Sequence, residues 1–363
     1  MTPPMTAQQV VAPVAVERPA ASDRASGARG ALGTALPLVT HGEIDRLRQR
    51  LRDVSRGRAA LVQVTGCGSG EAELRSRVRV LTALAVAIEF FGGRAVVAVS
   101  GSAPADRRSA GLDSVGLLGT YASAAAAMNV IRTLPGGEPD LRDELADLIS
   151  YGASGDRFAG LVRDLGRGLA FGISSSGPGA RPAIYSSRES WSTAFDGGLL
   201  RHYQAGDGPR AYACSTHLVW TPLPGRVPEA VTAGILEQVV NPVGLRVGAF
   251  AAVDAVVRHV ERLDGEREPG KVVVRLGAGH ERVADLLPAL IEAVHRNGHQ
   301  VVWQCDPAVS NVGVGAAVVE VAGFLRVHRE LGTVAGGVHL DLTRFAHGGV
   351  PEICLGIAEA FRG

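Results

Sequence analysis

Four short apolar runs beyond residue 240 carry charge at their ends. They are Val243–Val247 with Arg246, Val272–Leu276 with Arg275, Val301–Cys305 followed by Asp306, and Val338–Leu342 with His339 and Asp341. The charges recur about 29 to 35 residues apart, which is the repeat of a strand, a loop, a helix and a return. A strand buried on both faces excludes charge unless that charge lines a site. In a (β/α)8 barrel the carboxyl end of every strand opens onto one cavity, so charges repeated at those ends form one constellation.

Four earlier runs of strand type, Ala59–Thr65, Arg94–Ser100, Ala183–Ser186 and His217–Thr221, bring the number to eight. Helical periodicity lies between them. It is read at His41–Val54 behind the cap Thr40, at 71–91, at Tyr121–Arg132, and once or twice between Asp140 and Phe171. Further helices are read at Glu229–Val240, Ala251–Leu263 and Glu281–Arg296. The predicted fold class is therefore α/β, a (β/α)8 TIM barrel over residues 36–363 with a helical insertion at about 115–175 after strand 2. Residues 1–35, rich in Ala, Pro and Thr without periodicity, are expected to be a disordered N-terminal tail. A doubly wound open sheet would want Gly-x-Gly-x-x-Gly after the first strand. The stretch Gly66-Cys67-Gly68-Ser69-Gly70 lacks that spacing.

Composition narrows the chemistry. A net charge of +1 and 5% aromatic residues argue against a nucleic-acid or membrane partner. Of 37 basic residues only Lys271 is lysine, and it opens its strand at the end away from a barrel's active face, so lysine imine chemistry is disfavoured. The four cysteines are scattered without Cys-x-x-Cys, and no apolar leader or span of about 18 residues is found. A cytoplasmic location is expected. Serine-hydrolase elbows, zincin motifs and P-loops are absent from the sequence.

Several segments resemble the type II 3-deoxy-D-arabino-heptulosonate 7-phosphate (DAHP) synthases in order and spacing. They are Leu-Val-Gln-Val-Thr-Gly-Cys (61–67), Ile-Tyr-Ser-Ser-Arg-Glu-Ser (184–190), Asn-Pro-Val-Gly-Leu-Arg-Val-Gly (241–248), Val-Arg-Leu-Gly (274–277), Trp-Gln-Cys-Asp-Pro (303–307) and Gly-Gly-Val-His-Leu-Asp-Leu-Thr (336–343). The resemblance runs from about residue 40 to the end of the chain and implies the barrel. It also implies condensation of phosphoenolpyruvate with erythrose 4-phosphate, with a divalent metal polarising the aldehyde.

Carried over residue by residue, the implied site is eroded. Of the metal ligands, Cys67 matches the family's cysteine, the histidine position holds Val309, the glutamate position holds Asp341, and no late aspartate matches before Gly363. His339, two residues before Asp341, is a substitute third ligand on one reading and an internal hydrogen-bonding group on the other. A divalent metal, manganese or cobalt, is expected only if the Cys67, His339, Asp341 set still binds one. In the anion site Arg108 and Ser109 match the end of a longer motif, and Trp220 matches a tryptophan whose following acidic-basic pair is lost. Arg246 stands for a lysine, Arg275 is unchanged, Arg188 stands for a histidine and Glu189 is kept.

Two guanidiniums on adjacent strands, Arg246 and Arg275, can grip a carboxylate or phosphate. Equally, both can be neutralised by Asp306, Asp341 or Glu189 in a structural network. Those three carboxylates are the candidate acid/base groups. Arg108, Ser109, Arg188 and Trp220 complete the expected substrate-binding set. Barrel segments are kept while loop positions differ, so the leading expectation is a DAHP-synthase-like enzyme repurposed for specialised metabolism. It would act on a small anionic substrate by an aldol-type or related carbon–carbon step. A non-catalytic protein modulating a partner synthase, and a genuine DAHP synthase with an altered metal site, are the alternatives. The resemblance implies a homodimer or homotetramer.

Overall fold

The computed structural model describes residues 30–66, 70–101, 114–133, 141–155, 157–176, 183–190, 192–205, 208–221, 234–307, 313–345 and 349–362. Eight parallel strands close into a barrel: β1 (Ala59–Thr65), β2 (Ala95–Gly101), β3 (Ile184–Glu189), β6 (Leu218–Trp220), β7 (Val243–Gly248), β8 (Val272–Gly277), β9 (Val302–Cys305) and β10 (Gly337–Asp341). The intervening β4 (Leu200–Ala205) and β5 (Gly208–Ala213) form a separate antiparallel hairpin. Neighbouring barrel strands follow chain order, and β1 pairs with β10 to complete the ring. All eight runs read from the sequence become the barrel's strands.

The period-2 alternation of each strand sorts its side chains between two cores. Val62 and Val64 of β1 face outward, in one apolar cluster with helical residues such as Leu84, Leu290 and Phe324. Leu61, Val97, Val99, Leu218, Val273 and Val302 face inward and share a cluster with Leu47, Leu51 and Val54 of helix α1 (His41–Ser55). Helix α1 thus plugs the amino end of the barrel, leaving the carboxyl end for polar side chains. Its start is fixed as the sequence predicts: Thr40 caps the helix, and Glu43 returns the bond in a capping box.

The outer helices are α2 (Glu71–Gly92), α7 (Val253–Leu263), α8 (Val283–Arg296), α9 (Gly313–Glu330) and α10 (Gly349–Arg362). The expected insertion after β2 is three helices, α3 (Ser114–Thr133), α4 (Leu141–Ala153) and α5 (Ala159–Ser176), with α4 seated against α10. The short α6 (Thr193–Gly198) leads into the hairpin.

Two expectations change. Residues 1–29 of the tail lie outside the described residues, but 30–35 are held to the body. Leu32 is fully buried, and Arg201 donates to the carbonyls of Leu32 and Ala35 at 3.0 and 2.8 Å. Of the helix expected at Glu229–Val240, residues 229–233 lie outside the described residues, 234–236 are helical, and the helix ends before Val239 rather than at Val240. Beyond it the Val240 amide donates to Ala211 of β5 at 2.8 Å, and Pro242 disfavours helix in the residue before it. The fully buried Asn241 side chain then ties Ala213, Thr216 and His217 together.

Barrel closure depends on Gly337. A Cβ there would lie 1.9 Å from the Leu61 carbonyl oxygen, and its φ is +153°. Backbone cannot yield as a side-chain tip would. Gly337→Ala is expected to destabilise the chain by about 3 kcal/mol or more, read as a lowered urea midpoint. A midpoint unchanged from wild type would show that the β1–β10 seam is loose.

Candidate functional site at the carboxyl end of the barrel

Following the inward alternation upward, every strand except β2, which ends in Gly101, closes on a polar, charged or indole side chain. Gln63 and Thr65 rise from β1, Ser187 and Glu189 from β3, Trp220 from β6, and Arg246 from β7. Arg275 rises from β8, Gln304 and Asp306 from the end of β9, and His339 and Asp341 from β10. The sequence constellation therefore converges in one place.

Trp220 occupies the middle of it, 2% exposed. A Cβ at Gly244 would sit 2.2 Å from its indole, so glycine on the adjacent strand makes the room it fills. The guanidiniums of Arg275 and Arg246 lie 4.4 and 5.3 Å from the indole ring, within cation–π range. Arg246 also donates to the Thr221 carbonyl at 2.7 Å and pairs with Glu189 at 3.3 Å.

Arg275 is held differently. It is 6% exposed and lies 3.4 Å, through Nε, from Asp306 Oδ2. That nitrogen is buried without a hydrogen bond, and Arg275 makes none to any described residue. Burial pushes its guanidinium below the ordinary arginine range, opposed by Asp306. Both arginines have carboxylate neighbours, as the network reading expected. Arg275, however, keeps most of its donors unspent.

Asp306 is the anionic centre. His339 Nδ1 approaches its Oδ1 at 2.8 Å and Arg344 at 3.2 Å, while Arg275 faces Oδ2. Burial would raise the carboxyl; its interaction with the facing His339 and the Arg275 and Arg344 charges overcome it and hold the carboxyl well below its usual range. His339 is neutral for the opposite reason. Burial and the Arg275 charge lower the imidazole below its ordinary range despite the carboxylate. A carboxylate only accepts, so Nδ1 carries the proton, and Nε2 accepts from the Thr65 hydroxyl at 3.0 Å.

Other expected site residues fall at the rim of this constellation or away from it. Arg188 alternates with the inward Ser187 and Glu189, so it points away from the barrel. It pairs with Asp196, bonds Ser215 and lies 4.6 Å from the Phe195 ring; it is a structural residue of the α6 region. Asp341 sits at the rim, where it accepts from Thr343 and pairs with Arg344. Cys67, Arg108 and Ser109 lie outside the described residues, as does His347. Lys271 lies at the amino end, donating to the Val239 and Asn241 carbonyls, and burial pushes its amine down to about 8. The sequence reading had no role for Thr65, Gln63 or Arg344. The Leu61-Gln63-Thr65 alternation signals the first two. A cavity of about 540 Å³ between α1 and the hairpin, lined by residues including His41, Arg48, Tyr203 and Glu268, shares no lining residue with this site.

Among the described residues, from which Cys67 is missing, the donor set does not fit the metal that the resemblance implies. Both ring nitrogens of His339 are engaged by protein groups, the Asp341 carboxylate is bonded to Thr343 and Arg344, and valine at 309 offers no donor. Among the described residues, no group of three or more His, Cys, Asp or Glu side chains is placed to hold an ion.

The neutral His339 has a consequence for stability. Unfolded, its imidazole takes up a proton below about pH 6.5; folded, it resists to lower pH. The unfolded state then binds more protons, so stability is full above about 6.5 and falls as pH drops below it. Buried His328 and His217, both pushed down to about 4, add to the same fall. His339→Asn is expected to show a shallower loss of unfolding free energy from pH 6.5 to 4.5 in urea titrations. An unchanged slope would mean that His339 is already charged in the native protein.

Known proteins place this arrangement. Residues 101–361 match the class-II DAHP synthetase family. The chain is 30% identical to the phospho-2-dehydro-3-deoxyheptonate aldolase AroG of Mycolicibacterium smegmatis, over 88% of this chain and 80% of that protein. It is 29% identical to the phospho-2-dehydro-3-deoxyheptonate aldolase of Streptomyces coelicolor, over 85% of this chain and 79% of that one. A probable aldolase of the same name from Pseudomonas fluorescens is 35% identical over a shorter stretch, 37% of this chain and 36% of that protein. The barrel, its charged strand ends and these matches agree: the chain belongs to the class-II DAHP synthetase family.

Proposed function

We propose that this chain is a divergent enzyme of its family that binds a small carboxylate or phosphate compound at the carboxyl end of the barrel. The reaction we assign to it is an aldol-type or related carbon–carbon step within specialised metabolism. The observation that carries the reading is Arg275. A buried guanidinium with no hydrogen bond to the described protein is costly unless a ligand supplies the acceptors. The Trp220 ring, 4.4 Å from its guanidinium carbon, packs against it, and a planar fork suits an anionic group with two oxygens.

Around that anion, Arg246 lies on the neighbouring strand in register with Arg275 and adds positive charge. Glu189, Asp306 and Asp341 are the carboxylates within the constellation. Asp306, kept ionised by its cations, orients His339 and is a poor proton acceptor. Neutral His339, receiving a hydrogen bond from Thr65, can pass a proton only if that bond is exchanged. That leaves Glu189 and the rim residue Asp341 as the carboxylates to exchange protons with a substrate.

A second reading, the reaction printed in the relatives' names, is favoured by identity over most of the chain. Purified protein incubated with phosphoenolpyruvate and erythrose 4-phosphate, with and without Mn²⁺, decides between the two. No consumption is expected, and metal-stimulated turnover would replace the first reading by the second. Binding tests the site itself. Arg275→Ala should weaken phosphoenolpyruvate or inorganic phosphate binding by about thirtyfold or more, the order of 2 kcal/mol for truncating one side of a buried charged contact. The far-ultraviolet circular dichroism should not change. Unchanged affinity in a folded variant would remove Arg275 from the site.

A further inference from the structure

Arg344 belongs to none of the strands and to none of the motifs read from the sequence, yet it reaches the centre of the constellation. The reason is local. Asp341 ends β10 and caps the following 3-10 turn, Leu342–Arg344, by accepting from the Thr343 amide and hydroxyl at 3.1 and 2.7 Å. In a 3-10 turn, residues three apart eclipse one another, so the Arg344 side chain returns over Asp341. Its Nε lies 3.4 Å from Asp341 Oδ2 and its Nη1 lies 3.2 Å from Asp306 Oδ1. One guanidinium thus bridges carboxylates from the ends of two adjacent strands.

We propose that Arg344 is a built-in cation that takes the place of a divalent metal between Asp306 and Asp341, so that the site neither needs nor takes up such an ion. Three observations converge on it. Both carboxylates that face this point are already neutralised by a side chain of the chain itself. His339, the nearest imidazole, spends Nδ1 on Asp306 and Nε2 on Thr65, leaving no lone pair for a metal. Arg275 adds a second positive charge beside Asp306, which would repel an incoming dication. The Arg344 side chain is 32% exposed, so part of its fork faces the mouth, where it can donate to an oxygen of a bound anion. A guanidinium is charged at every accessible pH and carries its donors in a fixed plane. The arrangement would therefore hold a positive charge in place without metal supply. This inference goes beyond the substrate assignment and does not require it.

Electron paramagnetic resonance of aqueous Mn²⁺, whose signal is lost on binding, tests it directly, together with the thermal midpoint at increasing Mn²⁺. Wild-type protein in excess should leave the signal intact and its midpoint unmoved. Arg344→Ala, which leaves Asp306 and Asp341 without the bridge, should gain affinity for Mn²⁺ by about tenfold or more. Its midpoint should rise with Mn²⁺ as binding to the native state alone requires. Arg344→Lys keeps the charge and should behave as wild type. Stoichiometric Mn²⁺ binding by the wild type would overturn the proposal, and that titration stands whether or not Arg344→Ala folds. A folded Arg344→Ala variant with no gain in affinity would overturn it equally. None of these readouts depends on turnover or on an anion bound at Arg275, so failure here is distinguishable from failure of the proposed substrate site.

Discussion

The site depends on one buried carboxylate. Asp306 stands at the end of β9, its amide fixed to Leu276 of the neighbouring strand at 2.7 Å, and its charge survives burial only because Arg275, Arg344 and His339 surround it. Each of those groups is in turn placed by Asp306. It chooses the tautomer of His339, anchors one end of the Arg344 bridge, and is the only ion-pair partner of Arg275 among the described residues. Such a network is poor value as stabilisation, since hydrocarbon of the same volume would hold a barrel at least as well. Its presence at the carboxyl end, above an apolar plug formed with Leu47, Leu51 and Leu61, marks the end of the barrel where binding is favoured over packing.

Trp220 extends that logic to the arginines. Stacking a guanidinium on an indole returns about 0.5 to 2 kcal/mol, less than the hydrogen bonds Arg275 has given up to be there. Arg246 meets its needs with the Thr221 carbonyl and Glu189, so it is balanced without a ligand. Arg275 is not. The two arginines looked equivalent as residues on adjacent strands. Their surroundings divide them into one whose charge and donors are met within the protein and one with no hydrogen bond to any described residue.

Strands and strand-end charges were legible because both follow from local rules. Parallel barrel strands are short apolar runs at a regular repeat, and their inward positions alternate. That same alternation would have excluded Arg188, which stands between the inward Ser187 and Glu189. The β4–β5 hairpin escaped notice because its residues, Leu-Arg-His-Tyr-Gln-Ala and Gly-Pro-Arg-Ala-Tyr-Ala, are only half apolar, although the Asp207-Gly208 step where β5 begins is a turn signal. Arg344 could not be read at all. Its role arises from a 3-10 turn that Asp341 caps, and from a carboxylate on another strand that no spacing in the chain connects to it.

The pattern of departure from the family follows from which residues build the barrel and which line its mouth. Inward residues low in the barrel, such as Val97, Val273 and Val302, are packed against α1, so changing them costs core energy. Positions at the strand ends and in the loops contribute little to that core and can change their chemistry while the barrel persists. The proposed exchange of a metal for a guanidinium would be a change of this kind, because it would alter the charge at one rim point without calling on the residues that pack the strands. A monovalent, directional cation polarises an oxygen less strongly than a dication but orients it more narrowly. A site rebuilt around Arg344 and Arg275 would therefore rely on positioning and hydrogen bonding where a metal site relies on Lewis acidity.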